Sequence, residues 1–292
     1  MESFLTVFTP TYNRSHTLPR LYESLCQQTR KDFIWIVVDD GSTDHTAALV
    51  NTWIKEERCN IQYYFQTNRG KQFAHNRGVE LATTELFVCV DSDDYLTPNA
   101  VGNIGSKWER CSDTKHVCGI LSLRGYPDGS LNGSGFPQGV ETTSIYDLYT
   151  KHGFSGDTML VFTLNILRQF PFPEIPGERF INEAIVYNRI SKQYTMAILD
   201  QILYVGQYLP DGYTHNIVEI MRQNPRGFSL YYKELVLMEK SLLRKWKYAA
   251  QYIAFAVHGE EQHMIKNSAF PLLSLLLFPL GLWYYRKKLK SV

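Results

Sequence analysis

The sequence predicts an α/β fold built on a mostly parallel sheet with helices on both faces. Two observations carry that expectation. In the first third of the chain, short apolar runs alternate with longer stretches of helical spacing, which is the pattern of strand–helix–strand units. Each polar cluster of chemical interest also follows directly on one of the apolar runs, and in open α/β sheets ligands bind at the carboxyl ends of the strands.

The strands expected in order are Phe4 to Phe8, Phe33 to Val38, Ile61 to Phe65 and Leu86 to Val90. Each is near-continuously apolar, as a strand buried on both faces must be. Between them, Leu18 to Gln28 (Leu18, Leu21, Tyr22, Leu25), Thr46 to Ile54 (Ala47, Val50, Ile54) and Phe73 to Leu81 repeat apolar residues at helical steps. The connections are short enough for right-handed crossovers. Gly119 to Gly139 is dense in Gly, Pro, Ser and Asn, and reads as a hairpin or mobile loop over the site. The second half resumes with Ser144 to Tyr149, a strand at Thr158 to Leu164, a helix at Glu183 to Ile190 and a strand at Met196 to Val205. After about His215 the pattern is mostly helical and aromatic.

Composition narrows the class. A chain of 292 residues with 44% hydrophobic and 20% charged residues is neither disordered nor collagen-like. Thirty Lys and Arg against 29 Asp and Glu leave a formal charge of +1, so no global field draws the chain to nucleic acid. Five scattered cysteines form no CxxC pair, against both a disulfide framework and a structural zinc site and in favour of a reducing cytoplasm. The N-terminus has no basic segment and no small-residue cleavage site, so it is not expected to act as a secretory signal.

Two acidic clusters carry chemistry. Asp91-Ser92-Asp93-Asp94 follows a strand and precedes Thr97-Pro98, which reads as a helix N-cap with proline at the first helical position. Three carboxylates in four residues repel one another unless a cation or donor offsets them. A hard cation such as Mn²⁺ or Mg²⁺ takes carboxylate and phosphate oxygens together; the plainer alternative is an acidic turn that caps the next helix. In Val37 to Asp44 (VVDDGSTD), capping explains Ser42, Thr43 and Asp44. A carboxylate at Asp39 suits a base N–H or ribose hydroxyls.

These motifs, in order and spacing, resemble the nucleotide-sugar half of family 2 glycosyltransferases: TPTYNR at Thr9 to Arg14, VVDDGSTD, NRGKQFAHNRG at Asn68 to Gly78, and DSDD. Gly156 to Ile190 is similar to the acceptor half of bacterial polysaccharide-assembling members. The resemblance implies an A-type glycosyltransferase fold over residues 1–215, with donor binding in 1–110 and acceptor binding in 111–215, and a helical extension over 216–292. It implies Thr9, Tyr12 and Arg14 around the base and ribose, Asp39 on uracil, Lys71 and Arg77 near the phosphates, and Asp91 and Ser92 on the donor. Asp93 would hold Mn²⁺ or Mg²⁺, with Asp91 and His215 as further candidate ligands. Glu183, with Arg189 six residues on, takes the position of the catalytic base, and Glu178 is the alternative; Asp157 would hold the acceptor sugar. The reaction implied is inverting transfer from a UDP-sugar to a saccharide that is lipid-linked, as in the family's polysaccharide-assembling members. A catalytically silent nucleotide-sugar-binding subunit that regulates a membrane partner is the competing reading.

Ala269 to Tyr285 is apolar but for Ser274 and runs into Arg286-Lys287-Lys288-Leu289-Lys290. As one helix these residues reach about 25 Å, short of the ~30 Å hydrocarbon core, and Pro271, Pro279 and Gly281 weaken a straight span further. The expectation is an interfacial anchor on the inner face of the cell membrane, aromatics at headgroup depth and basic residues on anionic lipid.

Overall fold

In a computed structural model of the chain, which describes residues 3–111, 115–207 and 216–290, the residues fall into two compact units. The first comprises 1–171 and 186–207, the second 172–185 and 208–292.

The first unit begins with alternating strands and helices: β1 (Leu5–Thr11), α1 (Leu18–Cys26), β2 (Phe33–Asp39), α2 (Thr46–Glu56), β3 (Ile61–Phe65), α3 (Lys71–Leu81) and β4 (Leu86–Cys89). It continues through β5 (Tyr95–Leu96), α4 (Ala100–Glu109), β6 (Val117–Gly125), β7 (Thr142–Thr143), α5 (Ile145–Thr150), β8 (Thr158–Thr163), α6 (Leu164–Leu167), α7 (Ala184–Ser191, which starts at the boundary) and β9 (Thr195–Val205). One sheet runs in the order β3-β2-β1-β4-β8-β6-β9-β5, with β7 on β9. β3, β2, β1 and β4 are mutually parallel, β8 enters antiparallel between β4 and β6, and β9 returns parallel to β6.

All seven residues of β1 are buried, as both faces of a central parallel strand are covered. Leu5 and Val7 face a core shared with Leu18, Leu21, Leu25, Val101 and Ile104. Phe8 faces the other way, stacking on Phe87 and meeting the His75 ring edge-on.

Two local expectations are corrected. Residues 119–125 are not loop but the last seven residues of β6, with Ile120, Leu121 and Leu123 buried. Their glycine has a packing cause, since a Cβ on Gly119 would lie 1.9 Å from the Val161 carbonyl of β8. The turn-dense stretch begins only at Tyr126, where Gly129 N–H donates to the Tyr126 carbonyl and Gly125 bridges Leu131. The α4 helix starts at Ala100 behind Asn99, not at Thr97. Thr97 is still held by the sheet, its N–H donating to the Leu203 carbonyl of β9.

The second unit is helical: α8 (Ile217–Gln223), α9 (Pro225–Met238), α10 (Leu242–His258), α11 (Met264–Asn267), α12 (Pro271–Leu276) and α13 (Phe278–Tyr284), then a π-helical turn over Tyr285–Leu289. Phe228 stacks between Phe180 and Phe255, and Tyr232 stacks on Phe255. The apolar stretch at the C-terminus is thus two short helices meeting at Leu277, with Pro279 in the first turn of the second. No helix among the described residues is long and apolar enough to cross a membrane.

Candidate active site

The loops after β1, β2, β3 and β4 gather at the carboxyl edge of the parallel strands, stitched together by side chains. Asn13, in the left-handed region at φ 53°, turns Oδ1 to accept from the N–H groups of Thr43 and Asp44, at 2.8 and 3.3 Å. Its own N–H donates to Ser42 Oγ at 2.8 Å. Asp44 in turn accepts from the N–H groups of Ser15 and Thr46. Donation from several backbone amides is what holds such a carboxylate ionised, and the Asp44 pKa is displaced well below the usual carboxylate range, these bonds outweighing desolvation.

The two carboxylates after β2 have different tasks. Asp39 is fully buried and accepts from Ser42 N–H at 2.7 Å and from the Tyr63 hydroxyl at 2.6 Å. Asp40 reaches to the loop before α3, accepting from the N–H groups of Arg69 and Gly70 and from Gln66 Nε2 at 2.7 Å. Gly70, at φ 111°, makes the turn that aims Lys71 across the edge.

Lys71 Nζ meets Asp91 Oδ1 at 2.7 Å. Desolvation pushes the Asp91 pKa up, but the ammonium of Lys71 outweighs it and holds it below the ordinary value. Asp93 behaves oppositely: burial first, and the charge of Asp91 next, raise its pKa. Asp94 turns inward, where Tyr204 donates its hydroxyl at 2.7 Å and Arg124 pairs at 3.2 Å. Burial raises Asp94 to about 7 in spite of Arg124. Tyr204 also accepts from Asp91 N–H at 3.1 Å, so the turn is clamped from β9. A Cβ on Gly206 would lie 1.9 Å from Asp94 Oδ1, so that position has room only for glycine.

Arg124 has a second partner, Asp157 Oδ2 at 3.2 Å. The loop after β6 supports Asp157: Asn132 Oδ1 accepts its N–H, and Ser134 N–H donates to the Ser155 carbonyl. Arg124 and Tyr204 belong to none of the sequence motifs, and Asp94 stands in the sequence only as the third carboxylate of the DSDD cluster, with no role of its own. Their partners lie 30 to 110 residues away, and no local pattern marks them.

The other expected residues separate. Tyr12 is exposed and Arg14 half-buried beside the edge, and the Arg14 charge is felt by Asp93. Thr9 is fully buried with its hydroxyl accepting from Trp35 Nε1 at 3.0 Å, so it supports the strand and does not line the cleft. Ser92 is buried, and Arg77 donates to the Phe65 carbonyl at 3.1 Å. His215 lies outside the described residues. In the second unit, Glu178 accepts from the N–H groups of Arg226 and Gly227, both at 2.7 Å. Those are orphan amides of the first turn of α9, so this buried carboxylate is a helix cap. Glu183 directly precedes α7, and Asn182 Oδ1 caps the following Ala184 N–H at 3.0 Å.

The donor set bears on a metal. Among the described residues no three His, Cys, Asp or Glu side chains converge into a cage. Asp91 is matched by Lys71 and Asp94 by Arg124, whereas ionisation of Asp93 is disfavoured by its surroundings. These residues therefore fit a hard cation held through Asp93 that takes its remaining ligands from a diphosphate and water.

The model of the family described as "Glycosyl transferase family 2" matches residues 6–170, more than half of the chain. The chain belongs to glycosyltransferase family 2. A Campylobacter jejuni relative named GalNAc(5)-diNAcBac-PP-undecaprenol beta-1,3-glucosyltransferase is 29% identical over 198 residues, 66% of this chain and 62% of that protein. The Streptococcus pneumoniae glycosyltransferase GlyG is 25% identical over 199 residues, 64% of this chain and 65% of that one. The matched region thus spans less than two thirds of either relative. Among solved structures, S. aureus TarS superposes with a TM-score of 0.61 at 20% identity, over 98% of this chain and 53% of that chain. The Pyrobaculum calidifontis mannosyltransferase PcManGT, in complex with GDP-Man and Mn²⁺, gives 0.58 at 17% identity, over 98% and 82%. These likenesses establish the glycosyltransferase A-type fold.

Proposed function

We propose that this family 2 member is an inverting, metal-dependent glycosyltransferase that moves one sugar from a UDP-sugar to a saccharide hydroxyl on a lipid carrier, in bacterial cell-surface polysaccharide assembly. The observation that carries the reading is the convergence of four polar loops at the carboxyl edge of β1 to β4, with Lys71 and Asp91 paired across it at 2.7 Å. An acidic edge with one matched and one unmatched carboxylate suits a nucleotide diphosphate that arrives with a cation.

In this reading Tyr12 and Arg14 flank the base and ribose, and Asp39 holds the base-side turn in place. Lys71 orients Asp91 toward the donor, with Ser92 beneath it. Asp93 would hold Mn²⁺ or Mg²⁺, which supplies charge neutralisation to the departing diphosphate. Glu183 removes the proton from the acceptor hydroxyl as general base, and a single displacement inverts the anomeric carbon. The engagement of Glu178 with the first turn of α9 supports Glu183 over Glu178 as the base. Asp157, fixed by Arg124, accepts from the acceptor sugar.

The donor class draws support from TarS, solved in complex with UDP-GlcNAc and superposing with a TM-score of 0.58 at 18% identity. The polyprenol-linked acceptor in the Campylobacter relative's name supports a lipid-linked acceptor and a peripheral place on the inner face of the cell membrane. The test is a screen of the purified chain against UDP-, GDP- and dTDP-sugars with Mn²⁺, Mg²⁺ or EDTA. Metal-dependent release of UDP is expected, abolished by Asp93→Ala. Glu183→Gln is expected to stop transfer while UDP still binds. Tight UDP binding without turnover, even with lipid-linked acceptors, would instead mark a silent binding subunit.

A further inference from the structure

The second unit wears its apolar side chains on the outside. Among the described residues, three large apolar side chains exposed to solvent lie in the first unit and eleven in the second. Along α12 and α13 the outward residues Leu272, Leu275, Leu276, Leu280 and Trp283 recur at steps of three and four, with Leu272 84% exposed. The inward residues are small: Ser274 is 2% exposed, and a Cβ on Gly281 would fall 2.5 Å from Ile253 of α10. A helix facing water turns its large apolar side chains inward; this pair does the reverse.

A second patch, not evident in the sequence, completes the face. The first turn of α10 exposes Leu242, Leu243 (77%) and Trp246. It lies beside the start of α12, where Lys245 Nζ stands 5.2 Å from the centroid of the Phe270 ring. Charge follows the same geography. Residues 240–290 hold nine Lys and Arg against Glu260 and Glu261, a net of +7 in a chain whose total is +1, so all other residues together carry −6. Lys240, Arg244, Lys247 and the run Arg286 to Lys288 are exposed, and Lys287 Nζ sits 4.8 Å over the Trp283 ring.

We propose that this composite face, the first turn of α10 together with the outer stripe of α12 and α13, docks on an anionic phospholipid bilayer. Leucines enter the acyl boundary, the two tryptophans lie at headgroup depth, and the basic side chains meet lipid phosphates. A second copy of this chain is the poorer occupant because it would set +7 against +7. The inference rests on the membrane-surface reading given above and extends it to α10.

The test is co-sedimentation of the full chain with vesicles of phosphatidylcholine alone or with phosphatidylglycerol added. Binding to the anionic vesicles is expected to exceed that to neutral ones by about tenfold and to weaken with salt. Leu243→Ser/Trp246→Ser and Leu272→Ser/Leu276→Ser are each expected to weaken it about tenfold, with circular dichroism unchanged because all four side chains are exposed. Brominated lipid should quench Trp246 and Trp283 fluorescence. UDP release from a soluble donor is expected to be unaffected in these variants, so loss of docking and failure of the catalytic reading give separate signals. Wild-type binding by the α10 variant would overturn the composite face. No binding by the unmodified chain, or a dimer abolished by the same substitutions, would overturn lipid as the occupant.

Discussion

Asp94, Arg124 and Tyr204 show how single side chains set up the acidic edge. Arg124 is largely buried and divides its guanidinium between Asp94 and Asp157. Removing one partner of a buried ion pair leaves an uncompensated charge, so Arg124→Ala is expected to lower unfolding free energy by about 3 kcal/mol in urea titration. His75 offers a pH handle. It is buried between Phe8 and Phe87. Desolvation, with help from Lys71, lowers its pKa from 6.5 to about 3. Between those values the unfolded chain binds a proton that the folded chain refuses, so this contribution to stability is present above pH 6.5 and is lost as pH falls toward 3. The slope is up to about 1.4 kcal/mol per pH unit. Unfolding curves of His75→Gln should be flatter across that window than those of the unmodified chain.

At the scale of elements, close approach dictates residue choice. The α3 helix lies on β1 through Gly78, where an added Cβ would stand 2.3 Å from the Phe8 ring. Gly102 sits in α4 with 3.7 Å to its nearest neighbour, Thr29 Oγ1. In an unhindered helix, replacing glycine with alanine gains up to about 1 kcal/mol. Gly102→Ala is expected to show that gain, whereas Gly78→Ala should lose about 1 to 3 kcal/mol through overpacking. Thermal unfolding of the two variants side by side separates propensity from packing. The loops obey the same logic: Asp40 and Asn13 spend their side chains on backbone amides of neighbouring loops, so the edge is held in shape before any donor binds.

For the whole molecule, the prediction concerns linkage. A donor nucleotide that binds only the folded chain adds about 2.7 kcal/mol at a concentration one hundred times its Kd. UDP with Mn²⁺ is therefore expected to raise the unfolding temperature, and EDTA to remove most of the rise, in a calorimetric scan. Because the chain forms two compact units, more than one transition is expected, and the ligand should act on that of the unit that carries Lys71, Asp91 and Asp93.

Periodic burial is a local property, and what depends on it is legible in the residue order alone. Ile61 to Phe65 is a strand end to end as expected, and β1, β2, β4 and helices α1 to α3 fall within a few residues of their expected limits. The polar clusters stand after the strands because strand ends are where the chain turns. Tertiary structure alone decided what depends on distant partners. The antiparallel entry of β8 beside β4, the inward turn of Thr9 onto Trp35, the Asp94–Arg124–Tyr204 group and the engagement of Glu178 with α9 all join residues far apart in the chain. So does the exposed first turn of α10. Its leucines and tryptophan are plain in the sequence, but whether an apolar side chain is covered depends on which other segment packs over it, and the local pattern does not record that.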